Sequence, residues 1–221
     1  MATVLVIGAS RGIGRGLVQA CVERGDRVIA TVRKAADVQA LRDAGAEVLV
    51  VDVAQPASVS GLAWQLDGEE IDQAWYVAGA WDGCSAHTPP TQPDFDRVMH
   101  TNVLGAMQVL PQVMPCVEAV GGVMVCISSM MSRLSQAESR AWLYRTSKAA
   151  LNMVVACAQE QWQGAHVIAM DPGWVQTDMG GEGASISVEE CVQGMLATVA
   201  QLDDADKGSF VRYDGHRWED W

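Results

Sequence analysis

The stretch "YRTSKAALN", from Tyr144 to Asn152, sets a phenol and an ammonium four residues apart. On a helix such positions share one face, about one turn from each other. Two kinds of helix carry this pair. One is a partly buried structural helix whose Tyr packs inward while its Lys reaches solvent. The other is the working end of an enzyme. The rest of the chain decides between them.

A second group of residues suited to chemistry is "VIGASRGIGRG", in which Gly8, Gly12 and Gly14 are spaced G-x-x-x-G-x-G. Glycines there permit a tight turn, let backbone approach a pyrophosphate, and let a helix pack close to a sheet. The helix that follows offers free N–H groups and partial positive charge to phosphates. A glycine-rich turn with no ligand is the competing reading, and it weakens once a strand precedes the turn and a helix follows. A NAD site usually carries Asp or Glu about 20 residues further on, to bond the ribose hydroxyls. Here that region reads "ATVRK", with no carboxylate until Asp37. Arg33 and Lys34 stand instead where a 2′-phosphate would lie, and Arg11 could join them, since a guanidinium grips phosphate through two hydrogen bonds. The alternative is that these are solvated surface charges. The pattern favours NADP(H) over NAD(H). Asp52 either bonds the adenine amino group or caps a turn.

These groups need elements to position them, and the chain reads as alternating strands and helices. That is the signature of an α/β protein with a doubly wound, mostly parallel sheet covered on both faces. Seven strands are expected, at "TVLVI", "RVIATV", "EVLVVDV", "DQAWYVAG", "GGVMVCISS", "AHVIAMDPG" and "SFVRYDG". Helices are expected at "GIGRGLVQACVERG", "ADVQALRDAG", "ASVSGLAWQL" opened by Pro56, a long segment running towards Val117, the stretch carrying Tyr144, and Val188 to Leu202. No repeat, low-complexity tract or linker divides the chain, so residues 1–221 read as one Rossmann-type domain.

Composition narrows the function. With 221 residues, 49% of them apolar and 19% charged, a large core is expected and disorder is not. A net charge of -12 argues against general binding of nucleic acid or anionic membranes. No apolar run is long enough to span a bilayer. Six scattered cysteines and four scattered histidines show no metal-type spacing, so no metal site is expected. The apolar start "MATVLVIGAS" lacks a preceding basic region, which together with the cysteines predicts reduced thiols and a cytoplasmic location.

In this order and spacing, "GASRGIG", "VDV", "AGA", "TNVLGAM", "ISS", "YRTSK" and "DPGWVQTDM" resemble the short-chain dehydrogenase/reductase family along nearly the whole chain. The short length and the ending "GSFVRYDG" look most like its small carbonyl-reductase and C-factor-like branch. The resemblance implies a catalytic set of Asn102, Ser129, Tyr144 and Lys148. Tyr144 would be the general acid for carbonyl reduction and the base in reverse. A free tyrosine ionises near pH ~10, so Lys148 would tune it with positive charge. Ser129 would hold the substrate oxygen. Asn102 would hold a water that links Lys148 to solvent, or satisfy backbone groups at a helix irregularity, or both. The implied cofactor contacts are Gly8, Ser10, Arg11, Gly12, Ile13 and Gly14 on the turn, Arg33 and Lys34, Asp52 and Val53, and Ala78 and Gly79. Asn102, Tyr144 and Lys148 complete them with the nicotinamide-side loop, where Pro172 and Gly173 set the shape, Val175 offers backbone and Thr177 a hydroxyl. Relatives pair through the long helices after the fourth and fifth strands, implying a homodimer or homotetramer.

Three departures from the family pattern stand out. Tyr76-Val77-Ala78-Gly79 replaces Asn-Asn-Ala-Gly, which removes side-chain bonds that brace the sheet. Ser132 stands where Gly is common. The step from Ser129 to Tyr144 is 15 residues, longer than usual, so Ser128 and Ser132 remain alternatives to Ser129. The substrate end is a short loop around residues 179–187, and Trp81, Trp142 and Trp174 either line an apolar pocket or pack on their own domain. Two functions fit this chain. The first is an NADP(H)-dependent oxidoreductase acting on a small carbonyl/alcohol pair. The second is an NAD(P)-binding regulatory or signalling protein with little or no turnover. Retention of Tyr144, Lys148, Ser129 and Asn102 favours the enzyme, because a pure sensor has no evident need of all four.

Overall fold

The computed structural model describes residues 1–219 and 221. Its strands are β1 (Thr3–Ile7), β2 (Arg27–Val32), β3 (Glu47–Val50), β4 (Gln73–Tyr76), β5 (Val123–Ile127), β6 (His166–Asp171) and β7 (Phe210–Arg212). The helices are α1 (Gly12–Glu23), α2 (Val38–Asp43), α3 (Pro56–Val59), α4 (Leu62–Gln65), α5 (Gln92–Met99), α6 (Gly105–Glu118), α7 (Trp142–Gln161) and α8 (Val188–Val199). All seven strands lie parallel in the order β3-β2-β1-β4-β5-β6-β7. This is the doubly wound α/β arrangement that the alternating pattern predicts.

The strands are near-continuous apolar runs because helices cover both faces of the sheet. On one face Val4, Val6, Val28 and Ile168 pack with Leu17 and Cys21 of α1 and with Val192 and Met195 of α8. On the other, Leu5, Ile7, Met124 and Val167 pack with Val109 and Val113 of α6 and with Leu151 and Val155 of α7. The strand order reverses between β1 and β4, and a crevice opens there beyond the carboxyl ends of the strands. Ligands of open α/β sheets bind at such a point.

Three elements differ from expectation. β3 ends at Val50, although the Val51 amide still bonds the Val32 carbonyl at 2.9 Å. The helix expected over "ASVSGLAWQL" is two single turns, α3 and α4, broken at Ser60–Gly61, where glycine weakens helix propagation. The long segment before Val117 is two helices, α5 and α6, joined by one π-helical turn over His100–Leu104. Such turns often mark functional positions, and this one carries Asn102. Among the described residues no helix is long and apolar enough to cross a membrane.

Candidate active site

At the β1/β4 reversal lies a groove of about 520 Å³, lined by Gly8, Ser10, Arg11, Gly12, Ile13, Arg33, Lys34, Asp52, Val53, Ala78, Gly79, Tyr144, Lys148, Pro172 and Thr177. The glycine turn makes the floor. Gly8 sits at φ +93°, and a Cβ there would lie 2.7 Å from the Ala78 amide nitrogen. A Cβ on Gly14 would lie 2.2 Å from the Gly8 carbonyl oxygen, so Gly14 acts through close packing of α1 and is not part of the groove wall. Strand order places Arg33 and Lys34, beyond β2, at one end of the groove, and Tyr144 and Lys148, on α7, at the other. An open, glycine-floored groove with cations at one end and a phenol at the other fits a phosphorylated dinucleotide.

Neither Arg33 nor Lys34 makes an ion pair among the described residues, whereas the Arg11 guanidinium is held by Asp178 at 2.8 Å. Arg11 lines the same groove as the other two cations, beside Asp178. Asp52 does cap a turn, its Oδ1 accepting from the Ala54 amide at 3.0 Å, and it also lines the groove.

At the far end, Tyr144 and Lys148 are both almost fully buried. Lys148 Nζ donates to the Ile127 carbonyl at 2.7 Å and lies 5.7 Å from the centre of the Tyr144 ring. Loss of solvent pulls the ammonium down from its ordinary 10.5 to about 8. Burial pushes the Tyr144 phenol above its ordinary range, with a hydrogen bond from Ser129 acting in the opposite direction. Burial outweighs any tuning by Lys148 in this state, so Tyr144 stands as a neutral phenol, the form that can donate a proton.

The three serines of "ISSMMS" take different partners. Ser128 donates to Asn152 Oδ1 at 2.5 Å, Asn152 donates to Ser132 Oγ at 2.8 Å, and Ser132 donates to the Ser129 carbonyl at 2.7 Å. Of the three, Ser128 lines the groove, while Ser129 Oγ accepts from the Met131 amide at 3.1 Å and is the one that opposes the rise at Tyr144. Ser132 thus ties the loop down where a glycine would leave it free. Asn152 is a site residue that the motif reading passed over. Its signal was present: it lies four residues beyond Lys148, on the same helical face.

Asn102 is wholly buried. Its Oδ1 accepts from the Ala80 amide at 2.7 Å, and its Nδ2 donates to the Ala80 carbonyl at 2.9 Å and to Ser147 Oγ at 2.8 Å. From the π turn it therefore satisfies both backbone groups of Ala80, on the loop after β4. Tyr76 replaces the brace that the altered motif removed, because its hydroxyl donates to the Thr101 carbonyl in the same π turn at 2.6 Å. Gly105 leaves room for it, since a Cβ there would lie 2.5 Å from the Tyr76 oxygen.

The loop after β6 divides. Pro172 and Thr177 line the groove, while Gly173 and Val175 pack behind it against Ile186. Residues 174–187 fold back on themselves through Gln176 to Ile186 at 2.9 Å and Trp174 Nε1 to the Gly180 carbonyl at 2.9 Å. The Trp81 ring sits 4.6 Å from the Tyr144 ring at 57° and flanks the reacting end. Trp142 and Trp174 remain exposed.

Comparison with known proteins agrees with this fold. The family model for short chain dehydrogenases matches residues 2–185. The chain is 31% identical over 230 residues to the 1-hydroxy-2-glutathionyl-2-methyl-3-butene dehydrogenase of Rhodococcus sp. (strain AD45), covering 97% of this chain and 98% of that protein. A Burkholderia multivorans structure, described as a short-chain dehydrogenase/reductase with bound NADP, superposes with a TM-score of 0.85 at 28% identity, over 98% of this chain and 99% of that one. The carbonyl reductase Sniffer of D. melanogaster shares the fold with a TM-score of 0.89 at 22% identity, over 98% of both chains.

Proposed function

The chain belongs to the short-chain dehydrogenase family, and on that footing we propose that it is an NADP(H)-dependent enzyme that reduces a small aldehyde or ketone to an alcohol. One observation carries this reading: a buried neutral Tyr144, its ring 5.7 Å from Lys148 Nζ, ends a groove whose other end holds Arg33 and Lys34, neither ion-paired among the described residues. NADPH, when bound, supplies the hydride. Tyr144 gives its proton to the carbonyl oxygen as negative charge gathers there, and Ser129 holds that oxygen by hydrogen bonding. Lys148 keeps a positive charge at neutral pH one turn from the phenol and steadies the phenolate left after proton transfer. Asn102 fixes α7 against the Ala80 loop through Ser147, which itself donates to the Tyr144 carbonyl at 2.7 Å.

Arg33 and Lys34 take the 2′-phosphate, and the preference for NADP(H) follows from their having no ion pair among the described residues. The NADP bound to the Burkholderia relative supports the same choice. A homo-oligomer built through α6 and α7 belongs to the same reading, which the exposure of Met107 and Met153 supports. So does a cytoplasmic location, in keeping with six free thiols. The test is a panel of aldehydes and ketones with NADPH followed by absorbance. Turnover with at least one is expected, and none across the panel would contradict the reading.

A further inference from the structure

Arg145 follows Tyr144 on α7, and the mechanism above gives it no role. Its side chain is 13% exposed and uses four of its five N–H groups on one stretch of chain. Nε donates to the Arg140 carbonyl at 3.0 Å, and Nη1 to the Gln136 carbonyl at 2.8 Å and, more weakly, to the Met131 carbonyl at 3.4 Å. Nη2 meets the Glu138 carboxylate at 3.0 Å. All four partners lie between Ser129 and Tyr144, the passage that departs in length from the family pattern. That passage holds two single 3₁₀ turns, Met130–Ser132 and Leu134–Gln136, and residues 134–140 are exposed. Little apolar burial keeps it in place, so its shape depends on what its carbonyls bond. It enters α7 through Ala141, at φ 55° the only non-glycine residue with positive φ among the described residues. Such backbone persists only where its surroundings hold it. Arg145 grips both peptides there, its side chain taking the Arg140 carbonyl and its amide donating to the Ala141 carbonyl at 2.8 Å.

We propose that Arg145 is a positioning residue whose guanidinium folds the 131–140 loop onto the start of α7, so that the wall beside the reacting end stands formed before any substrate arrives. This rests on the catalytic reading given above. Ser128 and Tyr144 both line the groove, so the passage that joins them borders that end. On its outer edge Arg140 bridges Ser85, and the Ala86 amide donates to the Ser139 carbonyl at 3.0 Å. The loop thus ties α7 to the segment that follows Trp81. Its inner turn is fixed as well, since the Met131 amide donates to Ser129 Oγ at 3.1 Å while the Met131 carbonyl accepts from Arg145. One planar guanidinium reaches three carbonyls in set directions, which a lysine ammonium on its flexible stem cannot fix together. The Glu138 carboxylate, 68% exposed, adds little to this grip.

The test compares Arg145→Ala, Arg145→Lys and Glu138→Gln with the wild type. Trypsin acting on the cofactor-free protein reads the loop without any substrate, because Arg133 and Arg140 are cleavage points within it. Cutting after these two residues should quicken roughly tenfold or more in Arg145→Ala, as the folded loop opens more often. An unchanged rate overturns the tether. With the loop freed, only a fraction of molecules holds the competent shape, and substrate must select it. For an aldehyde that the wild type reduces, KM should therefore rise roughly tenfold or more, while kcat and NADPH affinity stay within about threefold. A fall in kcat larger than the rise in KM, or an equal loss of NADPH affinity, overturns positioning through the loop. Glu138→Gln should stay within about twofold of wild type throughout, as an exposed ion pair does. A rise in KM there matching that of Arg145→Ala overturns the grip on the carbonyls. Should Arg145→Ala not fold, Arg145→Lys decides. Faster cutting with KM raised by about threefold or more supports the guanidinium fork, and wild-type values of both overturn it. Failure of the wild type to reduce any carbonyl would contradict the proposed activity, while trypsin cutting still decides the tether.

Discussion

Lys148 Nζ and the Ile127 carbonyl form a 2.7 Å hydrogen bond that holds an ammonium out of solvent at the end of β5. The folded protein gives up this proton near pH 8, the unfolded chain near 10.5. Below about pH 8 the full cost of burying the charge is present, and it fades as pH rises to 10.5, so this residue makes stability increase with pH across that window. At 1.36 kcal/mol per unit the cost is about 3 kcal/mol. Lys148→Met removes it but strands the Ile127 carbonyl, an offset of about 1 kcal/mol. Urea denaturation at pH 7 should find Lys148→Met about 2 kcal/mol more stable than wild type, with the gap closing by pH 10.5. A variant no more stable at pH 7 would show that the ammonium is better solvated than its surroundings indicate.

Arg33 is exposed, lines the groove and has no ion-pair partner among the described residues. Arg33→Ala should weaken NADPH by roughly 10- to 100-fold, the worth of a charge-assisted hydrogen bond, and leave NADH affinity unchanged. Calorimetric titration of both cofactors checks this. Equal loss of NADH and NADPH would place Arg33 in general folding or dinucleotide binding, not in 2′-phosphate recognition.

The Trp81 ring, 4.6 Å from that of Tyr144, offers a flat apolar wall beside the reacting end. Trp81→Leu should raise KM for benzaldehyde by roughly 2- to 10-fold, the value of one aromatic contact, and change KM for hexanal less. Equal effects on the two aldehydes would assign Trp81 to shaping the loop and not to touching substrate.

Gly8 is constrained twice, by φ +93° and by the Ala78 backbone 2.7 Å from where a Cβ would be. Gly8→Ala should destabilise the cofactor-free protein by about 2 kcal/mol or more, read from its denaturant midpoint. An unchanged midpoint together with weaker NADPH binding would restrict the glycine to ligand approach.

Most of the fold was legible because its signals are local. Apolar runs separated by helical periodicity specify seven parallel strands, and glycine spacing marks the turn after β1. That Tyr144 and Lys148 share one place in the fold was legible for a similar reason, both lying in one short motif, and both line the groove. Contacts between distant segments were not. Tyr76 read as the loss of a brace, although its longer reach carries a hydroxyl to Thr101, 25 residues away. Ser132 read as a departure, and its part in holding Ser129 depends on Asn152, 20 residues on. The ion pair of Arg11 was not legible either, because its partner Asp178 is 167 residues distant. Asp171 lay in plain view within "DPG", yet nothing in sequence tells that its carboxylate will meet the Gly173 amide.

Proton transfer from Tyr144 is tested most directly by NADPH oxidation in Tyr144→Phe, using a carbonyl compound that the wild type reduces. The substitution removes one oxygen from a buried ring and keeps the packing against Trp81. Calorimetry should find NADPH affinity within a few-fold of wild type. Catalysis through this phenol predicts that kcat falls by roughly 10²- to 10⁴-fold, the usual contribution of a general acid. Undiminished turnover in Tyr144→Phe would contradict it.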